Sequence, residues 1–343
     1  MTNNLRNFFP MIRTRRDLLE EIGDSSSLSD LFNSWSEEQR EDFLDFCTGS
    51  KGVKILYDSF FKEIMNPETT PERLERLLSL ILKQQVKIHT ILPTDNSRIA
   101  DESSLLVMDI LIELEDGSLA NIEVQKLGYK FPGQRCACYS ADLLLRQYKR
   151  IRGEKKKSFS YKDIKKVYTI VLFEKSGRIF HKFPDVYLHH MKQKSDTGLE
   201  IELLQEYIFI PLDIFQESLQ NKGIKSDLDA WLTFLSTDKP EWIEGLIHNH
   251  PEFIPMYTDI YELCRNTEKV MELYSKELSL LDKNTVQLMI DEMQDTIDGQ
   301  KGTITQLQGT VDGQKCIIDD QQGTINKQKE EIEELRRQLE SQK

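Results

Sequence analysis

Residues 105–127, LLVMDILIELEDGSLANIEVQKL, decide the fold because they carry the pattern of a β-hairpin. The first ten are mostly apolar and partly β-branched, as in a buried strand. Residues 119–125 then alternate between apolar and polar side chains, which is typical of a strand with two different faces. The polar side chains of this second strand share one face: Asn121, Glu123 and Gln125.

The turn at residues 115–117 leaves two registers open. Gly117 can take the positive φ that other residues resist. In a three-residue turn with Gly117 in the bulge position, Asp109 lies directly opposite Glu123. A two-residue turn sends these two carboxylates to different faces of the hairpin. A site that uses both carboxylates therefore requires the three-residue turn.

Two carboxylates on adjacent strands repel one another, and both stay ionised at low cost only when a cation lies between them. Mg²⁺ prefers such oxygen ligands, together with water and substrate phosphate. A second interpretation is a solvated polar face, which antiparallel hairpins commonly have. The pattern by itself leaves both interpretations open.

Asp109 is followed fourteen residues later by Glu123-Val124-Gln125. This arrangement resembles the PD-(D/E)XK nuclease core, in the variant with Gln in place of the usual Lys. More narrowly, the chain resembles the PD-(D/E)XK nuclease family transposases, which include the recombination-promoting nucleases, over roughly residues 52–235. The other matching stretches are YDSFFKEIMN at 57–66, IEVQK at 122–126, Arg135 and Tyr139 on a helix, and VYTIVLF at 167–173.

The resemblance implies an α/β fold, with a restriction-endonuclease-like core in which helices flank a mixed sheet. It also implies a metal-dependent DNA endonuclease that hydrolyses phosphodiester bonds in recombination or mobile-element biology. Mg²⁺ or Mn²⁺ would be the cofactor, held by Asp109, Glu123 and the backbone carbonyl of Val124. The competing interpretation is a weak or inactive nuclease fold that binds DNA or protein as an oligomeric module.

The resemblance gives further site residues their roles. Gln125 would orient water or phosphate, although an amide carries no charge, so transition-state stabilisation would fall more on the metal, with Arg135 or Lys126 as further sources of positive charge. Asp58 would be an additional acidic residue. Tyr139 would orient Gln125 or a water, and Arg135 would contact a phosphate. An exposed helix carboxylate and ordinary helix packing are the alternative explanations for Asp58 and for the Arg135–Tyr139 pair.

Composition indicates a globular protein of two or three domains. The chain has 343 residues, of which 38% are hydrophobic and 30% charged. It contains no run of 18 apolar residues, so no membrane span is expected. The N-terminus lacks a continuous apolar segment of the secretory type. Five scattered cysteines suit a reducing cytoplasm, and Cys136-Ala-Cys138 is interpreted as helix packing.

The pattern divides the chain into four segments. These are a helical N-terminal extension at 1–51, the nuclease-like core at 52–235, a helical region at 236–285 and a tail at 286–343. A capping box at Ser36–Gln39 predicts a helix start. The other predicted elements are helices over 52–66, from Pro71, over 134–151 and within 226–282, strands at 87–92 and 167–173, and a strand-rich stretch at 180–216.

A basic segment between Arg146 and Lys166 contrasts with the net charge of −13. It holds only two acidic residues, Glu154 and Asp163. Such a local stripe can contact DNA phosphates whatever the rest of the chain carries. A solvated helix end and loop is the alternative. The ten basic residues are Arg146, Lys149, Arg150, Arg152, Lys155, Lys156, Lys157, Lys162, Lys165 and Lys166.

The tail carries an uninterrupted heptad repeat from Ile290 to Leu339, which predicts a left-handed coiled coil and hence a homo-oligomer, dimer or trimer. Five of its eight d positions are Gln rather than Leu. Five glycines each cost about 1 kcal/mol of helix propensity. We therefore expect this helix to order only by self-association. The a positions are Ile290, Ile297, Ile304, Val311, Ile318, Ile325, Ile332 and Leu339.

Overall fold

The computed structural model describes residues 5–92, 110–127 and 133–341. The chain divides into two compact units, residues 1–277 and 278–343. The helices are α1 (Leu5–Phe8), α2 (Arg15–Asp24), α3 (Ser26–Ser34), α4 (Glu37–Cys47), α5 (Asp58–Ile64), α6 (Pro71–Leu82), α7 (Gly133–Lys155), α8 (Leu212–Lys222), α9 (Asp227–Ser236), α10 (Pro240–Asn249), α11 (Ile254–Arg265) and α12 (Thr267–Ser341). The strands are β1 (Ile88–Ile91), β2 (Ile110–Leu114), β3 (Leu119–Leu127), β4 (Val167–Lys175), β5 (His189–Met191) and β6 (Gln205–Pro211).

The strands β2 and β3 form the hairpin with the three-residue turn. The backbone N–H of Leu114 donates to the carbonyl of Ser118 at 2.8 Å, and Gly117 has a φ of +83°. The strand register pairs Ile112 with Ala120 and Ile110 with Ile122. Side chains on β2 and β3 that share a face therefore have numbers of the same parity, as the three-residue turn predicts.

The six strands form one mixed sheet in the order β1-β2-β3-β4-β6-β5. The three strands on one side, β1, β2 and β3, are antiparallel neighbours. Strand β3 is parallel to β4, and β4 is parallel to β6. The short β5 closes the other edge in antiparallel pairing with β6. A mixed sheet flanked by helices was predicted from the family resemblance, and this part of the prediction is confirmed.

Helix α7 covers one face of the sheet. Its residues Cys136, Tyr139 and Leu143 are buried in one cluster with the odd-numbered side chains of β4, among them Val167 and Val171. At the other end of the helix, the buried Gln147 amide donates to the carbonyl of Gly117 at 3.2 Å. Helix α7 thus runs from the late part of β3 back to the hairpin turn.

The even-numbered side chains of the sheet are buried as well, including Ile122, Ile170 and Leu172. Strands β3 and β4 are therefore covered on both faces, which explains the nearly continuous apolar sequence of β4. The predicted strand at 167–173 is present in full, and the predicted helix at 134–151 extends four residues further, to Lys155.

The N-terminal helices pack around an aromatic cluster that includes the first turns of α12. Trp35 and Phe43 contact Tyr274 with ring centroids 5.1 and 5.7 Å apart, and Phe46 contacts Phe60 of α5 at 5.9 Å. The predicted capping box at Ser36 and Gln39 is present at the start of α4. The predicted helix from Pro71 is present as well.

Two predicted stretches differ from the structure. The helix predicted over 52–66 begins only at Asp58 and ends at Ile64. Gly52, where it was expected to begin, lies against Ile243 of α10 and donates its N–H to the carbonyl of Asp238 at 2.6 Å. The stretch 180–216 is strand-rich in pattern but holds only the short β5 and β6 before α8. Its apolar residues around 199–203 are exposed, so their alternation has no buried face to stabilise a strand.

The second unit consists of the greater part of α12, which is one continuous helix through the five tail glycines. Its heptad side chains that the structure describes are about half exposed, such as Ile304 at 53% and Leu307 at 59%. Of the helices within the described ranges, none combines the length and the apolar character needed to cross a bilayer.

Candidate active site

Glu123 is a buried carboxylate in the middle of the sheet. Its side chain is 2% exposed on β3, on the face that α7 covers. The amide of Asn121, two residues earlier on the same face, donates to Glu123 Oε1 at 3.0 Å. A buried carboxylate requires such donors or a cation, because removing it from water without compensation is costly.

Two further polar atoms lie buried beside this pair. Asn121 stands opposite Thr169 in the parallel register of β3 and β4, and both side chains are 0% exposed. Neither Asn121 Oδ1 nor Thr169 Oγ1 has a hydrogen-bond partner among the residues that the structure describes. Most buried polar atoms are satisfied, so this polar group within an apolar sheet is the kind of place that receives a ligand or ordered water.

Gln125 continues the same face of β3 and is half-buried. It stands opposite Phe173 of β4, just beyond the pair of Glu123 with Val171. Val124 lies between the two polar residues, with its side chain on the opposite face. The motif Glu123-Val124-Gln125 is thus held by parallel pairing to β4 along its whole length.

Asp109, the first carboxylate of the predicted site, lies outside the described residues. It directly precedes Ile110 in the chain, and Glu123 directly follows Ile122, the residue that pairs with Ile110.

The start of α7 lies next to Glu123. Cys136, in the first turn, is 1% exposed, and burial, followed by the negative charge of Glu123, raises the pKa of its thiol to about 12. This thiol is therefore neutral and packs in the core, as predicted for Cys136, whereas Cys138 is exposed.

Arg135 and Tyr139 interact on the first turns of α7, as their spacing of four residues predicts. The Arg135 guanidinium donates from Nε to the Tyr139 hydroxyl at 2.7 Å. The Tyr139 ring is completely buried, whereas Arg135 is exposed. The Tyr139 hydroxyl thus holds the Arg135 guanidinium at the end of α7 nearest Glu123.

Lys126 lies on the other face of the sheet from Glu123, because neighbouring residues on a strand point in opposite directions. Its ammonium forms an ion pair with the completely buried Glu277 of α12 and lies 4.6 Å from the centre of the Tyr57 ring. Burial lowers the pKa of Lys126 to about 8. Lys126 therefore does not supply charge beside Gln125, which the sequence left as one option.

Asp58 is also associated with Lys126 rather than with Glu123. It is the first residue of α5, where its carboxylate pairs with Lys62 at 3.0 Å and acts electrostatically on Lys126. The structure thus brings Glu123, Gln125 and the Arg135–Tyr139 pair to one face, and places Asp58 near a residue of the opposite face.

The donors at Glu123 are oxygen atoms of the kind that hard divalent ions prefer. Within 5–92, 110–127 and 133–341, no group of three or more His, Cys, Asp or Glu residues is arranged to hold a metal ion. A two-carboxylate centre of the predicted kind would include Asp109, which is not among these residues. The chemistry of Glu123 and its amide neighbours fits a Mg²⁺ site.

The basic segment lies at the far end of α7 from Glu123. Four of its ten cations are paired with carboxylates: Arg146 with Asp142, Arg150 with Glu113, Lys155 with Asp163, and Lys166 with Glu202 and Glu206. Tyr148, within this segment, follows Cys136 by twelve residues, or about 18 Å along the helix. The basic segment therefore begins on the last turns of α7, at the end of the helix away from Glu123.

Sequence reasoning missed two residues beside Glu123. Asn121 was placed on the correct face by alternation, and its amide at a spacing of two from Glu123 was the available signal. Thr169 gave no signal, because its position depends on the pairing of β3 with β4, more than 40 residues apart in sequence.

Comparison with known proteins identifies the family. A family model described as PD-(D/E)XK nuclease family transposase matches residues 55–290. Among curated proteins, and among solved structures, none is significantly similar to this chain. The matched range covers more than half of the 343 residues and includes the hairpin, α7 and the parallel strands β4 and β6. This chain belongs to the PD-(D/E)XK nuclease family transposases.

Proposed function

We propose that this protein is a metal-dependent DNA endonuclease whose active site is formed by Asp109, Glu123 and Gln125. The observation that carries the proposal is the hairpin register. Ile110 pairs with Ile122, so a ladder that continued in this register by one residue would pair Asp109 with Glu123. Family membership and the buried polar group of Asn121 and Glu123 support it.

The residues that would hold Mg²⁺ or Mn²⁺ are Asp109, Glu123 and the backbone carbonyl of Val124. When bound, such an ion supplies polarisation of the scissile phosphate and lowers the pKa of an attacking water. Asn121 holds one oxygen of Glu123 and so fixes the direction of the other. Arg135, with its guanidinium bonded to Tyr139, is positioned to bind a phosphate oxygen.

Gln125 separates this chain from nucleases that have Lys in the third motif position. Its amide can orient water or phosphate, but it adds no charge to stabilise the transition state. Lys126 is held by Glu277 on the opposite face and does not take that role. This absence of a motif lysine favours a second candidate function, a catalytically weak nuclease fold that acts as an oligomeric DNA-binding module.

We propose in addition that the tail self-associates as a coiled-coil dimer or trimer. Its apolar a and d side chains whose exposure the structure gives, including Ile297, Ile304 and Leu307, are 43–60% exposed in the single chain. A regular stripe of exposed apolar side chains at heptad spacing is buried efficiently by a second copy of the same helix. Self-association would present more than one nuclease core to the same DNA.

Nicking and linearisation of supercoiled plasmid tests the nuclease directly. The purified full chain is incubated with Mg²⁺, with Mn²⁺ and with EDTA, beside the variants Asp109→Asn and Glu123→Gln. Both substitutions keep the side-chain shape and remove one negative charge, so we expect cleavage to fall at least a hundredfold, as when a preorganised charge is removed from an active site. EDTA should abolish cleavage by the unaltered protein.

The matched control is Glu115→Gln, which removes an exposed carboxylate from the turn of the same hairpin. It should cleave like the unaltered protein. Cleavage that survives both Asp109→Asn and Glu123→Gln would contradict this assignment of the site. A folded protein that binds DNA but cleaves with neither metal would instead support the binding module.

A further inference from the structure

Three aromatic rings form a surface cluster at the end of α7, far from Glu123. Tyr148 and Tyr161 are stacked at an interplanar angle of 10° with centroids 6.1 Å apart. Phe159 contacts both rings edge-on, at 5.5 Å from Tyr148 and 5.4 Å from Tyr161. We refer to Tyr148, Phe159 and Tyr161 as the aromatic platform.

The outermost ring of the platform is held in water rather than buried. Tyr161 is 74% exposed, whereas Tyr148 and Phe159 beneath it are half-buried. A tyrosine ring of this size normally covers apolar surface, so fixing one with its face in solvent forgoes most of its burial energy. Such an exposed, ordered ring is typical of a surface that binds another flat group.

Local contacts fix the segment that carries Tyr161. Ser160 caps the short 3₁₀ turn at 161–163, and its N–H donates to the Asp163 carboxylate at 2.8 Å. Lys155, at the end of α7, forms an ion pair with the same carboxylate at 2.6 Å. Lys156 takes a positive φ of 47°, which turns the chain sharply after the helix. The platform is thus preorganised before any ligand arrives.

Exposed cations lie beside the platform residues in sequence. Five of its neighbouring lysines are exposed and have no ion pair with any residue in the described part of the chain: Lys149, Lys156, Lys157, Lys162 and Lys165. Arg152 is exposed and lies with its guanidinium 5.5 Å from the centre of the Tyr148 ring. Within this described segment, Glu154 is the one acidic residue without an ion pair.

Stacking rings among lysines match the two recognisable parts of a nucleotide. Lysines attract phosphates and release counterions, and an aromatic face stacks on a base. A duplex offers phosphates but hides the faces of its bases, so a duplex would use the lysines and leave Tyr161 without a partner. An unpaired strand uses both.

We propose that the aromatic platform and its lysines bind single-stranded DNA at a site separate from the catalytic one. The inference deepens the proposed function and rests on it in taking the polyanion to be DNA. The platform begins about 18 Å along α7 from the turn beside Glu123, roughly the length of five base pairs. A DNA with an unpaired strand near the position of cleavage could therefore occupy both sites.

Fluorescence anisotropy of a labelled oligothymidylate measures this binding. A length of about 16 nucleotides fits the largest site sizes of single-strand binding domains. With the full chain, we expect Tyr161→Ala to weaken binding about tenfold, in the range for loss of one base–aromatic stack. Tyr161→Phe keeps the ring and should bind within about twofold of the unaltered protein. A blunt duplex of the same length should be bound equally by all three proteins.

Three further measurements separate stacking from charge and from folding. Phe183→Ala removes another half-exposed ring outside the basic segment and should leave binding unchanged. Lys156→Gln with Lys157→Gln should reduce the slope of log affinity against log salt by roughly 1.4, at about 0.7 per phosphate contact. Heparin, a polyanion without bases, should bind the Tyr161→Ala variant as it binds the unaltered protein.

Unchanged oligothymidylate binding by Tyr161→Ala would overturn the proposal, and so would an equal loss for duplex and heparin. The outcome is independent of the nuclease test. Plasmid cleavage without Tyr161-dependent binding would leave the nuclease standing and remove the platform. Tyr161-dependent binding by a protein that does not cleave would support the platform and contradict the nuclease.

Discussion

Alternate residues of β3 point to opposite faces of the sheet, and this alternation determines which residues belong to the candidate site. Glu123 and Gln125 face α7, and Lys126 leaves β3 on the opposite face, where Glu277 pairs with it. A lysine one residue later in sequence is thus no substitute for a lysine in the motif position. The buried Lys126–Glu277 pair stabilises the attachment of α12 only while both charges remain, because either one alone would be a buried unpaired charge.

Tyr139→Phe tests the role of the Arg135–Tyr139 contact. The substitution removes only the hydroxyl that accepts the Arg135 N–H, so the free energy of unfolding should fall by no more than about 1 kcal/mol. Plasmid cleavage should fall about tenfold, because Arg135 loses the group that orients it toward phosphate. Chemical denaturation and initial cleavage rates measure the two effects.

Tyr148→Phe is the matched control on the same helix. Tyr148 also accepts from an arginine four residues away, Arg152, but lies far from Glu123. Because Tyr148→Phe keeps the ring of the aromatic platform and removes only the hydroxyl, it should leave plasmid cleavage unchanged. Equal loss of cleavage in both variants would contradict a site-specific role for Tyr139.

At the scale of elements, helices and strands that depend on neighbouring residues were predictable, whereas contacts between residues far apart in sequence were not. The hairpin and the helix from Pro71 follow from alternation, Gly117 and helix periodicity, whereas the sequence left the turn open between two and three residues. The late start of α5 was not predicted, and Gly52, where that helix was expected to begin, packs instead against α10, nearly 200 residues further on. The contacts of Thr169 and Glu277 likewise depend on pairings that no local pattern encodes.

The pairing of β4, β6 and β5 includes a buried acid, Glu206. It accepts hydrogen bonds from Lys166 and His190, both at 2.7 Å, and pairs with Lys192 at 3.2 Å. Burial raises the pKa of Glu206, but the hydrogen bonds from Lys166, His190 and Lys192 outweigh it and hold the pKa below its ordinary value of 4.5.

The lowered pKa sets the direction of a pH dependence. Glu206 stabilises the fold above its unfolded-state pKa, and this contribution is lost as the pH falls through its folded-state pKa. Glu206→Gln should therefore lower the Tm at neutral pH, and the Tm difference should stay constant down to about pH 4.5 and shrink as the pH falls further toward 3. Differential scanning calorimetry across this range measures it.

Glu202→Gln is the control for that measurement. Glu202 pairs with the same Lys166 at 3.3 Å but is 57% exposed, so its loss should change the Tm little at any pH. A Tm difference for Glu206→Gln that stays constant down to pH 3 would show that its charge is not what stabilises the sheet.

At the scale of the whole molecule, a nuclease core and a heptad tail lie in one chain. Ile304→Asp places a charge at the a position of the predicted coiled coil, where a second copy would bury it. We expect the unaltered protein to sediment as a dimer or trimer and this variant to sediment as a monomer at micromolar concentration. Analytical ultracentrifugation distinguishes these states.

Gln306→Asp adds the same charge two residues away, off the apolar stripe, and should leave the oligomer intact. A monomeric unaltered protein, or equal dissociation by both variants, would contradict the predicted coiled coil. The structure supports a long helix with its apolar stripe exposed. The helical character of the tail was predicted from the sequence, and its self-association stays a prediction.

The three-residue turn determines the register of the hairpin, that is, which residues of β2 and β3 pair. Gly117 keeps β2 and β3 in a register where same-parity residues meet, and any odd change in turn length exchanges the partners across the whole ladder. A single-residue deletion at 115–117 would leave every residue of the motif in the chain, but residues that now pair across the ladder, such as Ile110 and Ile122, would no longer share a face.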